Sequence, residues 1–322
     1  MRDLRRRLLA GLAIGFVVLL GIAVIGDARL VVGRLAGFVW ALAPLALGCT
    51  LFNYALRFLK WHFYLRQIGA AGLSVRESAR LFVGGFPLAV TPGKVGEVLK
   101  AVWLQHKTGV PVTRGVTVVL AERISDGLAV LVLSTLGVIA YPRYAPAFAV
   151  ALGVLVGIVI VSQIRPLALA LLGCAERIPW VRRFSSGLHE LYEGSYALFR
   201  PRATLVGVGL GTISWLGEGI GFYLILIGLG VPGGWETLAN AVFILAFATA
   251  VGGLSTLPGG LGAAEGTLAG MLALVMSLPA SVAAAATLLI RFATLWFGVT
   301  LGLLVWAFSP QLLGLADAPQ AS

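Results

Sequence analysis

Long apolar runs make up most of this chain, and polar residues interrupt them in two ways: as clusters at run ends and as single charges inside runs. Runs near 8–26, 36–58, 113–139, 147–164, 203–229 and 281–308 each approach or exceed the roughly 20 residues that carry an α-helix across a bilayer. Helices satisfy their own backbone hydrogen bonds, which the hydrocarbon core demands. The pattern therefore predicts an all-α polytopic membrane protein with about six full spans.

Two further apolar stretches are broken by proline and glycine. The first, at 78–104, is interrupted by Thr91-Pro92-Gly93-Lys94-Val95-Gly96-Glu97. Each half is too short to span, so the expectation is a re-entrant hairpin whose loop lies at membrane depth beside protein or a wet cavity. The second, at 237–277, has apolar halves near 237–251 and 264–277 around Pro258-Gly259-Gly260-Leu261-Gly262, followed by Glu265. Pro92 and Pro258 lie 166 positions apart. At an offset of 168, Glu97 falls on Glu265 and Arg123 on Arg291. Corresponding broken segments in two halves of a chain point to a transporter's binding site. The 1–322 chain then reads as one membrane domain, with repeats at about 36–140 and 203–308 and a basic, interfacial link at 165–202.

Charge distribution orients the repeats. The chain carries 24 Lys and Arg against 13 Asp and Glu, a net charge of +11, with a mean hydropathy of +0.97. The basic residues sit in short clusters between runs, so lipid surfaces are the expected partner and nucleic acid is not. Cytoplasmic loops collect Lys and Arg. With both termini cytoplasmic in an inner membrane, only Arg29, Arg34 and Arg143 fall outside, and Arg123 and Arg291 fall within helices. Three full spans separate the broken elements, so they enter from opposite faces and the repeat is inverted, the symmetry used for alternating access. Arg2, Arg5, Arg6 and Arg7 before an apolar run resemble a signal peptide, but no small-residue cleavage site follows, and the run is read as the first helix.

A helix that restarts at membrane depth presents unpaired N–H groups and a positive dipole end, which suits phosphate or carboxylate. Gly96 and Gly262 occupy such restarts, and Lys94 adds a cation; the blander reading is that these residues only kink helices. Glu122, Arg123, Asp126, Glu218, Glu265 and Arg291 are charges inside apolar helices, costly there and read as functional by default, with structural ion pairs as the alternative. Arg291 is expected to pair with Glu218 or Glu265. Protonatable acids open a route to proton coupling. Arg57, Lys60 and Arg66, with Trp61, Phe63 and Tyr64 between them, are placed in an interfacial belt at the end of the 36–58 run.

Other chemistries find no support. Gly93-Lys94 lacks the P-loop spacing and its Ser or Thr. No catalytic triad, metal cluster or cofactor motif is evident, His62, His106 and His189 stand singly, and Cys49 and Cys174 have no disulfide or zinc spacing. The pairs Gly11/Gly15, Gly153/Gly157 and Gly217/Gly221 suggest close helix packing.

Taken together, Arg57 with Trp61, Pro92-Gly93-Lys94-Val95-Gly96-Glu97 with Lys100, Glu122-Arg123 with Asp126, and Leu257-Pro258-Gly259-Gly260-Leu261-Gly262 with Glu265 resemble the flippase-like family related to the transmembrane domain of lysylphosphatidylglycerol synthase. Lys100 stands where that pattern would have arginine, and the soluble aminoacyl-transferring domain is not found, so lipid aminoacylation is not carried over. The resemblance implies movement of a lipid between leaflets rather than enzymatic chemistry. A small-solute or ion transporter and an integral-membrane lipid-modifying enzyme are the rival readings. The substrate and the oligomeric state, a homodimer included, stay open.

Overall fold

The structure, a computed structural model, describes residues 2–70, 72–91, 95–140, 145–175, 185–255 and 257–309. These residues contain helices and no strand. Helix α1 is Arg2–Ile25. Asp27 ends it and caps the short α2, Ala28–Ala36, its carboxylate accepting from the Arg29 and Leu30 N–H groups. A 3-10 turn at Trp40–Leu42 leads into α3, Ala43–Gln67.

The first broken element follows. Helix α4, Val75–Gly84, begins with a Ser74/Glu77 capping box, which satisfies two otherwise orphaned N–H groups. A 3-10 turn over Phe86–Val90 contains Pro87, and α5 spans Val95–Thr108. Helix α6, Val112–Ala140, has 29 residues. Next come α7, Ala145–Gln163, α8, Arg165–Ala175, and α9, Ser185–Leu198. The α7–α8 pair bends by 94° at Pro166, which cannot continue the hydrogen-bond ladder.

Helix α10, Pro201–Gly228, precedes the second broken element. That element comprises α11, Trp235–Leu254, a 3-10 turn at Pro258–Gly260, and α12, Ala263–Val275. Finally α13, Ala280–Arg291, passes through a π turn at Phe292–Trp296 into α14, Phe297–Phe308.

Among the described residues five helices are long and apolar enough to cross a membrane, Leu8–Ile25, Trp40–Gln67, Pro201–Gly228, Trp235–Leu254 and Ala280–Phe308, and the count rises to six if the bent α7–α8 pair is one span. The expected 36–58 span is displaced, starting later and running on to Gln67. Arg57 and Lys60, expected at its end, lie within the helix, because Asp126 of α6 pairs with both. Helix α11 also differs from expectation: at 20 residues it is long enough to cross, not a short half. Gly252 lies inside it and admits the close approach of α12; a Cβ at Gly252 would lie 3.0 Å from the Ala264 Cβ.

The two largest apolar clusters among the described residues each draw on both halves of the chain. One gathers Trp61, Leu65, Leu81, Leu88, Leu104, Val118 and Leu198, and the other Phe38, Phe222, Ile244, Leu268, Leu272 and the Ala283–Ala286 stretch. Their link is α10, whose largest interface is with α3. Gly217 packs against Phe52 and Gly221 against Cys49 and Ala46, so these glycines admit close approach as expected. Gly153 and Gly157 face open space and pack on nothing described. Gly11 and Gly15 of α1 fit against the Val90 carbonyl and the Trp296 ring.

Candidate functional site

The two breaks meet inside the bundle. The Phe86–Val90 turn packs against the Pro258–Gly260 turn, and a Cβ at Gly259 would lie 3.3 Å from the Val90 Cγ1. Val90 is fully buried and Pro258 is buried. Arg291 and its partner Glu265 lie at the second turn, and Lys100 lies against Gly85 just before the first.

At the second break, Gly259, Gly260 and Gly262 have φ values of 58°, 67° and 85°, a left-handed backbone that favours glycine. Glu265 then folds back as a cap, its Oε2 accepting from the Gly262 N–H at 2.7 Å. Its Oε1 accepts from Arg291 Nε at 2.6 Å, and Arg291 Nη2 donates to the Gly259 carbonyl at 2.9 Å. Of the two partners proposed for Arg291, the structure selects Glu265, which is fully buried. The chain's own carboxylate thus occupies the anion-favouring start of α12.

Pro92, Gly93 and Lys94 lie outside the described residues. Gly96 and Glu97 fall in the first turn of α5, but the Glu97 side chain is not among the described groups. Lys100, one turn further on, is buried and donates to Glu122 Oε2 at 3.2 Å. Its ammonium lies 4.3 Å from the Trp61 ring centre and 5.3 Å from that of Phe82, cation–π contacts that strengthen in a desolvated setting. Gly85 makes room for this side chain, since a Cβ there would sit 2.7 Å from Lys100 Cδ.

One turn along α6 from Glu122, Asp126 accepts from Lys60 Nζ at 2.5 Å and lies 3.5 Å from Arg57 Nη2. Glu122 and Asp126 share the buried face, as their spacing of four implies, whereas Arg123 between them is exposed. Arg57 and Trp61 are not at an interface. Trp61 is 0% exposed, and the Arg57 side chain is 15% exposed, beside Asp126 and 5.6 Å from the Trp215 ring centre. Pairing with α6 is what lets them be buried.

Glu218 of α10 is buried, and its Oε2 has no hydrogen-bond partner. Arg57, Arg291 and Asp126 are within electrostatic reach of it. Asn53 reaches the same helix, its Nδ2 donating to the Ser214 carbonyl at 3.0 Å. Residues not singled out from sequence include Asn53, Trp215 and Tyr54, whose hydroxyl donates to the Thr294 carbonyl at 2.6 Å within the π turn, and Lys60, expected at the surface, lies in the site instead. A signal was present: Asn53, Arg57 and Lys60 recur at spacings of four and three, one face of a helix. Among the described residues no group of His, Cys, Asp and Glu could hold a metal ion.

These features define a helical, multi-pass membrane protein with two helix breaks in contact and a network of buried ion pairs around them. The profile of the lysylphosphatidylglycerol synthase TM region matches residues 8–302, and the chain belongs to that family. A UPF0104 membrane protein of Methanothermobacter thermautotrophicus is 28% identical over 287 residues, covering 82% of each chain. A second UPF0104 membrane protein match from that organism is 34% identical over 122 residues, 38% of this chain and 35% of the relative. No solved structure matches.

Proposed function

We propose that the protein is a flippase that moves a lipid with an anionic, phosphate-bearing headgroup between leaflets, without altering it chemically. The observation that carries this reading is the Glu265 arrangement. A carboxylate buried in the protein takes both the Gly262 N–H and the Arg291 guanidinium, two donors that suit a phosphate equally well. A headgroup entering between the two breaks competes with Glu265 for these donors, and Glu265 returns when the headgroup leaves. Acyl chains stay in the surrounding lipid. The basic clusters favour a cytoplasmic N-terminus in an inner membrane, with the two breaks entering from opposite faces and at membrane depth.

The test uses purified protein in liposomes containing fluorescent phospholipids of differing headgroup and a membrane-impermeant quencher. Faster leaflet exchange of anionic lipids than in protein-free vesicles is expected. No acceleration for any anionic lipid, with or without a pH gradient, would overturn the proposal and favour transport of a small solute.

A further inference from the structure

Among the described residues four acids are buried, Glu122, Asp126, Glu218 and Glu265. Lys100 pairs with Glu122 and Arg291 with Glu265, whereas Asp126 has two cations, Lys60 and Arg57. No described lysine or arginine forms an ion pair with Glu218. Its residue is 5% exposed, and an isolated carboxylate so placed is strongly disfavoured relative to the neutral acid.

The orphaned atoms are of complementary kinds, one donor and two carboxylate oxygens. Arg57 Nε, Asp126 Oδ2 and Glu218 Oε2 are all buried without hydrogen-bond partners. Arg57 lies 5.6 Å from the ring centre of Trp215, about one turn before Glu218 on α10, and its Nη2 lies 3.5 Å from Asp126, which places it within electrostatic reach of Glu218. The other groups facing Glu218 are Tyr54 on α3, Asp126 on α6 and Arg291 on α13. From α11, Val242 packs on Gly219, and the helix's one charged residue, Glu236, is exposed at its far end.

We propose that Glu218 is this protein's proton-binding residue: its carboxyl is protonated in this conformation and, on deprotonation, draws the Arg57 guanidinium away from Asp126. The step breaks the carboxyl O–H bond and passes the proton to water. The resulting carboxylate takes Arg57, and Asp126 keeps Lys60. While Glu218 is neutral, Arg57 and Lys60 together carry one more positive charge than Asp126 balances. An anionic headgroup can match that surplus, so proton and anion bind together. This coupling rests on the lipid-transport reading; the proton site does not.

Infrared spectroscopy of the purified protein, titrated with pH and without added lipid substrate, tests the site directly. A protonated-carboxyl C=O band should be present at low pH, vanish as pH rises, and be missing in Glu218→Gln. In Arg57→Gln, which removes the counter-ion, it should persist to higher pH. No pH-dependent band, or one unchanged by Glu218→Gln, would overturn the proposal. In liposomes, the ratio of lipid exchange with and without a pH gradient should fall to one in Glu218→Gln. If the band behaves as stated but the unaltered protein moves no lipid, the proton site stands and the flippase reading fails. If lipid moves and the band ignores Glu218→Gln, the reverse holds.

Discussion

Arg291 and Glu265 lie on different helices and meet at 2.6 Å, the guanidinium also holding the Gly259 carbonyl. One side chain therefore fixes both the second break and the helix that restarts after it. Arg291→Ala strips a buried carboxylate of its cation, at a cost of about 3–5 kcal/mol. Adding Glu265→Gln should recover part of this, and only part, because the Gly259 carbonyl stays without its donor. Thermal unfolding midpoints in detergent for the single and double variants measure the recovery; none at all would contradict the pairing.

The two lysines on the other side of the site should respond unequally. Lys100 is the cation paired with Glu122, whereas Asp126 has Arg57 besides Lys60. Lys100→Met should therefore lower the unfolding midpoint more than Lys60→Met, and Glu122→Gln should relieve the former. Equal losses would show that Arg57 does not share Asp126.

Glycines at the second break separate strain from crowding. Gly262 has open surroundings, its Cβ position meeting only Val18 Cγ2 at 3.9 Å, and a φ of 85°. Gly262→Val should cost about 1–3 kcal/mol in backbone strain, leave insertion intact and slow leaflet exchange. Gly260→Val should be worse, because a Cβ there lies 2.9 Å from the Gly252 Cα and 3.1 Å from its carbonyl oxygen, neither of which can move aside as a flexible side chain would. Gly96→Val tests the first break in the same exchange assay.

Orientation is checked by labelling a background without Cys49 and Cys174, the second of which is exposed. A cysteine near Gly233 should react with an impermeant reagent from outside, and one near Ser186 should not. Labelling of both from one side would remove the inverted repeat.

The helical class and both breaks were legible in the sequence because apolar run length and Pro-Gly punctuation are local properties. Long-range pairing was less legible. Arg57 and Lys60 read as surface anchors since a cation in hydrocarbon is costly, and only the facing Asp126 reverses that sign. Helix α11 was cut short at Gly252 for a similar reason. Glycine signals a break in isolation, and here it marks a close contact with Ala264. The 168-residue correspondence also has limits: Arg291 turns inward to Glu265, while Arg123 is exposed on α6. A pattern of residue types does not say which face of the helix meets lipid.

Helix α1 touches both breaks: Leu8 clusters with Val90 and Val299, Gly11 abuts the Val90 carbonyl, and Gly15 fits against Trp296 with Leu261 nearby. During synthesis α1 emerges well before Leu261 and Trp296, so half of its seat does not yet exist. The helix must wait in the bilayer, held by its own apolar length, until the final helices arrive. Assembly then closes on a segment made much earlier, and a substitution at Gly15 should be felt as slow maturation of the bundle, even though insertion of each helix proceeds normally.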